Sequence, residues 1–305
     1  MDDNVSTEKP EFFYFRDVKK AFDFNQRGPG VRWLPRLERG TVEGFARDKR
    51  LTPVRKNRTQ QAQLNNRGYG MGEMLHMTDI WENGSPELIA DLLSDTVEAM
   101  TGDMISAVNG GIYDDGTDTT YEQLGFQGFN SFLSGTSYAG ISMSTYTNWS
   151  HSSDTGGGSP YNQFSTEPLI VLDEIIKQCR TGGQKGKVAR KPDVGFMSWD
   201  LFNIIKATLM RKYHLTLPQN AQIQAFGDIE HILYGGVTWF PSFETPSGYI
   251  YCLTSDSILF EFPTPKFINE YRTEEGIPRA IYVLYIIYGR IRCKEPRCNG
   301  RFAVS

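Results

Sequence analysis

Between Gly68 and Ile176 the chain has no Lys or Arg and 16 Asp or Glu. Residues 1–67 hold 15 Lys/Arg against 9 Asp/Glu, and residues 177–305 hold 17 against 11. A formal net charge of only −4 therefore hides an acidic block set between two basic ones. Like charges in contact repel by about 1 kcal/mol per pair even in bulk water. A compact fold must bring basic residues to that block, from the same chain, from a neighbouring copy, or from both. The pattern points to a protein whose work is self-association.

The chain is long enough for one large domain or two smaller ones. Aromatic residues make up 13% of it, and such residues supply large burial and are enriched at interfaces. The N-terminal segment MDDNVSTEKPEFF is charged and lacks the apolar stretch of a secretory signal. No apolar run approaches the roughly 20 residues of a membrane span, so no membrane partner is expected. Cys179, Cys252, Cys293 and Cys298 are few and scattered, which fits reduced thiols in a cytoplasm.

Residues 1–36 read as an N-terminal arm. Phe12, Phe13, Tyr14 and Phe15, followed by Val18 and Phe22, suggest one short amphipathic helix before the Gly28-Pro29-Gly30 break. Residues 37–80 are polar and cannot build a core of their own, so they are expected to form an extended loop or hairpin ordered by a partner. Arg47, Lys49, Arg50, Arg55, Lys56 and Arg58 cluster there.

The clearest element spans 85–109. Ser85 can cap it and Pro86 suits its first turn. Leu88, Leu92, Val97, Met100, Met104 and Val108 follow helical spacing, and Gly110-Gly111 ends it. Its outer face shows Asp91, Asp95, Glu98 and Asp103, with no Lys or Arg on the helix to pair them.

Residues 112–165 read as short strands and turns, and 167–180 as a second amphipathic helix. An α/β pattern follows: a strand at Val194–Met197, a helix capped by Ser198 and running to Lys212, then strands at Leu233–Phe240 and Tyr249–Ser255. Ala280–Ile291 is apolar nearly throughout, which predicts a strand buried on both faces.

Catalytic and ligand motifs fail on detail. Gly182-Gly183-Gln184-Lys185-Gly186-Lys187 has the wrong glycine spacing for a phosphate loop and lacks the Ser/Thr after Lys187. Gly135-Thr136-Ser137-Tyr138-Ala139 resembles a nucleophile elbow, but a strand or loop sequence follows Ser137 where that motif needs a helix. Asp114–Asp118 lacks the spacing of a calcium loop. Cys293 and Cys298 have no second Cys/His pair close in sequence. No catalytic residue, metal ligand or cofactor site is assigned, and an enzyme is not expected. A Ser/Asp hydrolase built on Ser137 or the Asp114–Asp118 turn is the alternative from another class.

The order of elements resembles the major capsid proteins of tailed bacteriophages, the Hong Kong 97-type coat fold. Two stretches carry the likeness at residue level. Gly289 to Gly300 (GRIRCKEPRCNG) is similar to the closing strand and Cys-containing turn of many such coats. Gly140-Ile141-Ser142, Thr145-Tyr146 and Trp149 resemble a second family stretch, with Met143 where a basic residue is common. Asp193 to Ser198 looks like the strand that opens the family's axial domain.

The resemblance implies an α+β phage coat fold: an N-terminal arm (1–36), an extended E-loop hairpin (37–80) and a peripheral domain with a long spine helix (81–186). An inserted axial α/β domain (187–263) and a peripheral return strand (264–305) complete it. It further implies hexamers and pentamers of an icosahedral shell around double-stranded DNA, assembled in a host cytoplasm. A separate scaffolding protein, a portal, a decoration protein and non-specific DNA contact come with that reading. A related fold builds encapsulin nanocompartments. Some relatives crosslink a loop Lys to a peripheral Asn; Lys49, Lys56 and Asn299 are the available types here.

Two contact sets are then expected. The 47–58 cations lie across the acidic helix face (Asp91, Asp95, Glu98, Asp103) of a neighbouring copy. Within one chain, Arg290, Arg292, Lys294, Arg297 and Arg301 neutralise the acidic block.

Overall fold

The structure, a computed structural model, describes residues 9–24, 28, 30–35, 37, 59–76, 86–116, 125–154, 158–180, 191–212, 221–226, 229–264, 269–273 and 280–305. It is an α+β fold with two hydrophobic cores that share one sheet as a wall.

The aromatic segment near the N-terminus is part of that core rather than a free arm. Helix α1 (Pro10–Phe12), with a proline in its first turn, runs into a π-helical turn over Phe13–Val18. Glu11, Phe12, Tyr14 and Phe15 are buried. Phe15 packs its ring against Phe129, Phe196 and Phe260 at 5.9, 6.2 and 5.2 Å. Leaving four consecutive aromatics in water would forfeit about 1.5–3 kcal/mol for each ring that can be buried. The amphipathic segment therefore docks instead of projecting.

The first sheet is built on β15 (Ala280–Cys293). It pairs antiparallel with β13 (Ile258–Glu261), with β14 (Asn269–Thr273) and with β4 (Arg67–His76), the last from Ala280↔His76 to Gly289↔Arg67. The short β1 (Phe22–Asp23) adds parallel to β13. β4 falls within the segment expected to be a projecting loop; its pairing to β15 makes that part of it a sheet strand. β2 (Gly30–Trp33) pairs antiparallel with β3 (Ala62–Asn65), Trp33 lying opposite Ala62.

The long helix is α2 (Pro86–Gly111), 26 residues, about 39 Å at 1.5 Å per residue. It packs on β4 and β15. Val97, Met100, Met104 and Val108 are buried at the expected spacing, and Asp95, Glu98 and Asp103 are exposed on other faces.

β15 differs from expectation. Val283, Tyr285 and Ile287 are buried in the same core as Met100 and Met104, but the alternate residues Tyr282, Leu284 and Tyr288 are about 40% exposed. A strand has two faces, and within the described residues only one of them is covered.

The second sheet has seven strands in the order β7 (Ser152–Asp154), β16 (Gly300–Ala303), β12 (Tyr249–Leu253), β8 (Val194–Met197), β11 (Val237–Pro241), β10 (Ile229–Tyr234), β9 (Ala221–Phe226). Helices α4 (Pro168–Cys179) and α5 (Trp199–Lys212) cover one face, which presents Met197, Trp239, Ile250 and Cys252. Val194, Phe196, Phe240, Tyr251 and Leu253 alternate onto the other face and join the core of the N-terminal segment. This explains why β8, the one strand read exactly, is buried at every position.

Two further expectations change. Leu233–Phe240 is not one strand: Gly235 and Gly236 adopt φ of +63° and +78° and turn β10 back onto β11. Such a two-residue left-handed turn suits glycine and matches hairpin twist. Ser198 precedes α5, but its hydroxyl makes no hydrogen bond among the described residues; its backbone carbonyl accepts from Phe202 N. Residues 125–165 hold short strands and turns as expected, β5 (Ser137–Tyr138), β6 (Ile141–Ser142) and β7, with a short helix α3 (Asn130–Leu133) besides.

Strand pairing also crosses the expected divisions. β13 lies before residue 264 yet pairs with β15, while β16 lies after it and pairs with β12.

Candidate assembly surfaces

Arg47, Lys49, Arg50, Arg55, Lys56 and Arg58 lie outside the described residues, as does the Gly182–Lys187 stretch. Asp91 is on α2. Asp95, Glu98 and Asp103 are exposed on the same helix and meet no described Lys or Arg.

Among the described residues, Arg290, Arg292, Arg297 and Arg301 find partners other than the carboxylates of the acidic block. Arg290 Nε lies 2.6 Å from Glu261 Oε2, and Arg292 Nη2 lies 2.5 Å from Glu261 Oε1. Glu261 is outside the acidic block. Arg297 donates to the neutral Asn148 Oδ1 at 2.8 Å, and Arg301 lies over the Tyr249 ring at 3.9 Å. The reason is burial: a strand cation packed inside the sheet needs a partner at its own depth, and an exposed helix face cannot supply one.

The cluster around Glu261 is deeply buried, with Glu261, Arg290 and Arg292 side chains 0, 3 and 15% exposed. It joins distant segments. Arg290 Nη1 also donates to Asn66 Oδ1, and Asn66 Nδ2 donates to the Gly28 carbonyl at 3.0 Å. The Arg292 guanidinium sits 5.6 Å from the centroid of the Trp33 ring. The Arg292–Glu261 contact is close but its N–H is not aligned on the oxygen, so it acts as an ion contact rather than a directed hydrogen bond.

A second polar cluster anchors the N-terminal segment. Tyr113 Oη donates to Glu11 Oε1 at 2.5 Å, and Thr245 Oγ1 donates to Tyr113 Oη at 2.9 Å. Burial pushes the Glu11 carboxyl above its ordinary range, opposed by hydrogen bonds from Ser242 and Tyr113. Asp193 accepts from Ser255 N at 2.8 Å, and Lys19 Nζ approaches it at 2.6 Å.

Asn299 is fully buried. Its Oδ1 accepts from Thr254 N at 2.7 Å, and its Nδ2 donates to Ser257 Oγ at 2.9 Å and to the Glu295 carbonyl at 3.0 Å. A crosslink to Lys49 or Lys56 would require this turn to open first. Asn299 instead holds the Gly289–Gly300 turn closed.

Ser137 begins a tight β5–β6 hairpin whose turn residues Ala139 and Gly140 have φ of +53° and +78°. That is not the strand-to-helix turn of a nucleophile elbow. His151 is held against Met143, its Nδ1 3.3 Å from the thioether sulfur. Among the described residues no cluster of three His, Cys, Asp or Glu side chains is placed to hold a metal ion, and no helix is long and apolar enough to cross a membrane.

No family model matches the chain, and no curated protein does. Solved structures do. The capsid asymmetric unit of cyanophage A-1(L) aligns over 92% of this chain and 89% of that one, with a TM-score of 0.69 at 12% identity. The capsid of Myoviridae phage XM1 aligns over 95% and 92%, with a TM-score of 0.58 at 13% identity. The holo-SrpI encapsulin complex from Synechococcus elongatus covers 97% and 88%, with a TM-score of 0.53 at 12% identity. The chain has the coat fold of phage capsids along nearly its whole length.

Proposed function

We propose that this protein is the major capsid protein of a tailed phage, a structural protein that self-assembles into an icosahedral shell around double-stranded DNA. The observation that carries the reading is the whole-length likeness to a phage capsid subunit, 92% of one chain on 89% of the other. Residues 37–80 supply the E-loop, α2 the spine helix, and residues 187–263 the axial domain. The partners are further copies of the chain, with a separate scaffolding protein, a portal and a decoration protein, in a virion assembled in the host cytoplasm.

The charge pattern supports a route to assembly. Asp95, Glu98 and Asp103 lack a described cation, so Arg47, Lys49, Arg50, Arg55, Lys56 and Arg58 of a neighbouring copy are offered as their partners, with Asp91 on the same helix. Single exposed ion pairs contribute little, yet a repeated network sets register and rejects wrong pairings.

Negative-stain microscopy of the purified protein tests the function directly: uniform shells or capsomers are expected, and a population of stable monomers overturns the reading. Charge reversal of Arg50, Arg55 and Arg58 tests the route. Shell yield should fall, and undiminished yield at low salt removes this contact. The encapsulin likeness keeps a second shell reading in play. Shells that enclose a protein cargo and no DNA would favour it.

A further inference from the structure

The three buried charges at Glu261, Arg290 and Arg292 do more than close a gap in the core. Three features identify their role. First, the group is unbalanced, two cations on one carboxylate, and lies almost wholly out of water. Such groups are poor sources of net stability, because desolvation consumes most of the Coulombic gain. Second, each arginine reaches a different strand of the β2–β3 pair. Arg290 grips Asn66, directly after β3, and through it the Gly28 carbonyl just before β2; Arg292 lies over Trp33, the last residue of β2. Third, Glu261 is on β13 and both arginines are on β15, so the charges themselves sit on the rigid sheet. Each of these contacts thus runs from the rigid sheet to the paired strands β2 and β3.

Apolar contacts alone would not define that junction as well. Ala62 and Leu64 are buried against the body, but aliphatic packing tolerates sliding. A guanidinium shared between a carboxylate and an amide oxygen accepts only a narrow range of angles. We propose that Glu261, Arg290 and Arg292 are positioning residues, which set the angle at which the paired strands β2 and β3 meet the sheet. This rests on the shell reading for its consequence: the angle decides where the loop cations reach on a neighbouring copy, and so the curvature of the assembly.

The test uses the full-length chain. Replacing all three charges together, Glu261→Met, Arg290→Met and Arg292→Met, removes the buried charge and leaves only the neutral Asn66 Oδ1 without its donor, and such exchanges of buried charge are frequently neutral for stability. The thermal midpoint should stay close to that of the parent. Backbone amides of Gly30–Trp33 and Ala62–Asn65 should exchange hydrogen at least about tenfold faster. Assembled particles should lose their single diameter in electron micrographs. Parent-like exchange in β2 and β3 together with shells of one unchanged diameter would overturn the proposal. If the triple variant does not fold, Arg290→Lys decides. It keeps the charge but loses the planar fork whose Nε and Nη1 hold Glu261 and Asn66 at a fixed angle, so faster exchange in β2 and β3 supports the clamp and unchanged exchange refutes it. Absence of shells from the parent protein would sink the shell reading instead, and the exchange measurement would still judge the clamp.

Discussion

The two sheets of this molecule are completed in different ways. The seven-stranded sheet is closed by its own chain: α4 and α5 cover one face, and the N-terminal aromatics cover the other. The sheet around β15 is half finished. α2 and the core cover Val283, Tyr285 and Ile287, while Tyr282, Leu284 and Tyr288, with Met74 opposite Tyr282, stay exposed among the described residues. The same chemistry of alternating apolar residues thus yields a stable body in one place and an unsaturated surface in the other. A protein that must fold alone and then associate needs both.

The comparison breaks first, and hardest, inside the closed sheet. Trp239 is fully buried and its ring lies over Gly195, where an added Cβ would come within 2.2 Å of it. Trp239→Ala should cost about 3–5 kcal/mol, read from the urea midpoint of unassembled protein. Gly195→Val should prevent folding, visible as loss of soluble protein, because neither the ring nor the strand can move aside.

Next come neighbours on one strand. Tyr285→Ala should destabilise by about 3 kcal/mol or more, and Tyr282→Ala by less than about 1 kcal/mol. Equal effects on the urea midpoint would mean that the two faces of β15 are not different after all.

Two titrations sharpen the junction between the sheets, with opposite signs. The folded carboxyl of Glu11 is raised above its ordinary 4.5 by burial. Its contribution is fully present below about pH 4.5 and is lost as pH rises through the folded value. Glu11→Gln should therefore flatten the fall in stability on the alkaline side. His151 is lowered from 6.5 to about 4, chiefly by burial and then by Arg301. Its contribution is complete above pH 6.5 and is lost as pH falls toward 4, so His151→Gln should flatten the acid side. Unfolding midpoints across pH 4 to 8 for both variants check the two slopes.

The smallest expected effect on stability is at the acidic helix face. Asp95→Asn, Glu98→Gln and Asp103→Asn together should leave the unfolding midpoint nearly unchanged, since each side chain is exposed and lacks a described cation. The same triple variant should weaken the salt dependence of assembly, measured by light scattering against ionic strength.

Much of this was legible in the sequence. The start of α2 at Pro86, its buried stripe through Val108, the exact span of β8 and the strand character of Ala280–Ile291 all follow from local periodicity. The coat fold was legible only as a family resemblance, carried by element order and the Gly289–Gly300 turn. The errors share a cause. Leu233–Phe240 looks continuous because its apolar residues alternate through the turn, and only the positive φ of Gly235 and Gly236 divides it. Arg290 and Arg292 stood out as pairing cations, but their partners gave no signal, because Glu261 and Asn66 lie 29 and 224 residues from Arg290 and each reads as an ordinary surface residue. The aromatic segment at Phe12–Phe15 showed its amphipathic character but not what it would pack against.

By itself, then, the sequence determined where helices and strands begin, which of their faces are apolar, and that the charges are sorted along the chain. These depend on neighbours within a few residues, where backbone geometry dictates the period. Only the tertiary structure decided which apolar faces meet one another, which cations are buried with which carboxylate, and which faces stay bare. Those outcomes depend on burial, and burial is set by contacts between segments that the chain order does not bring together.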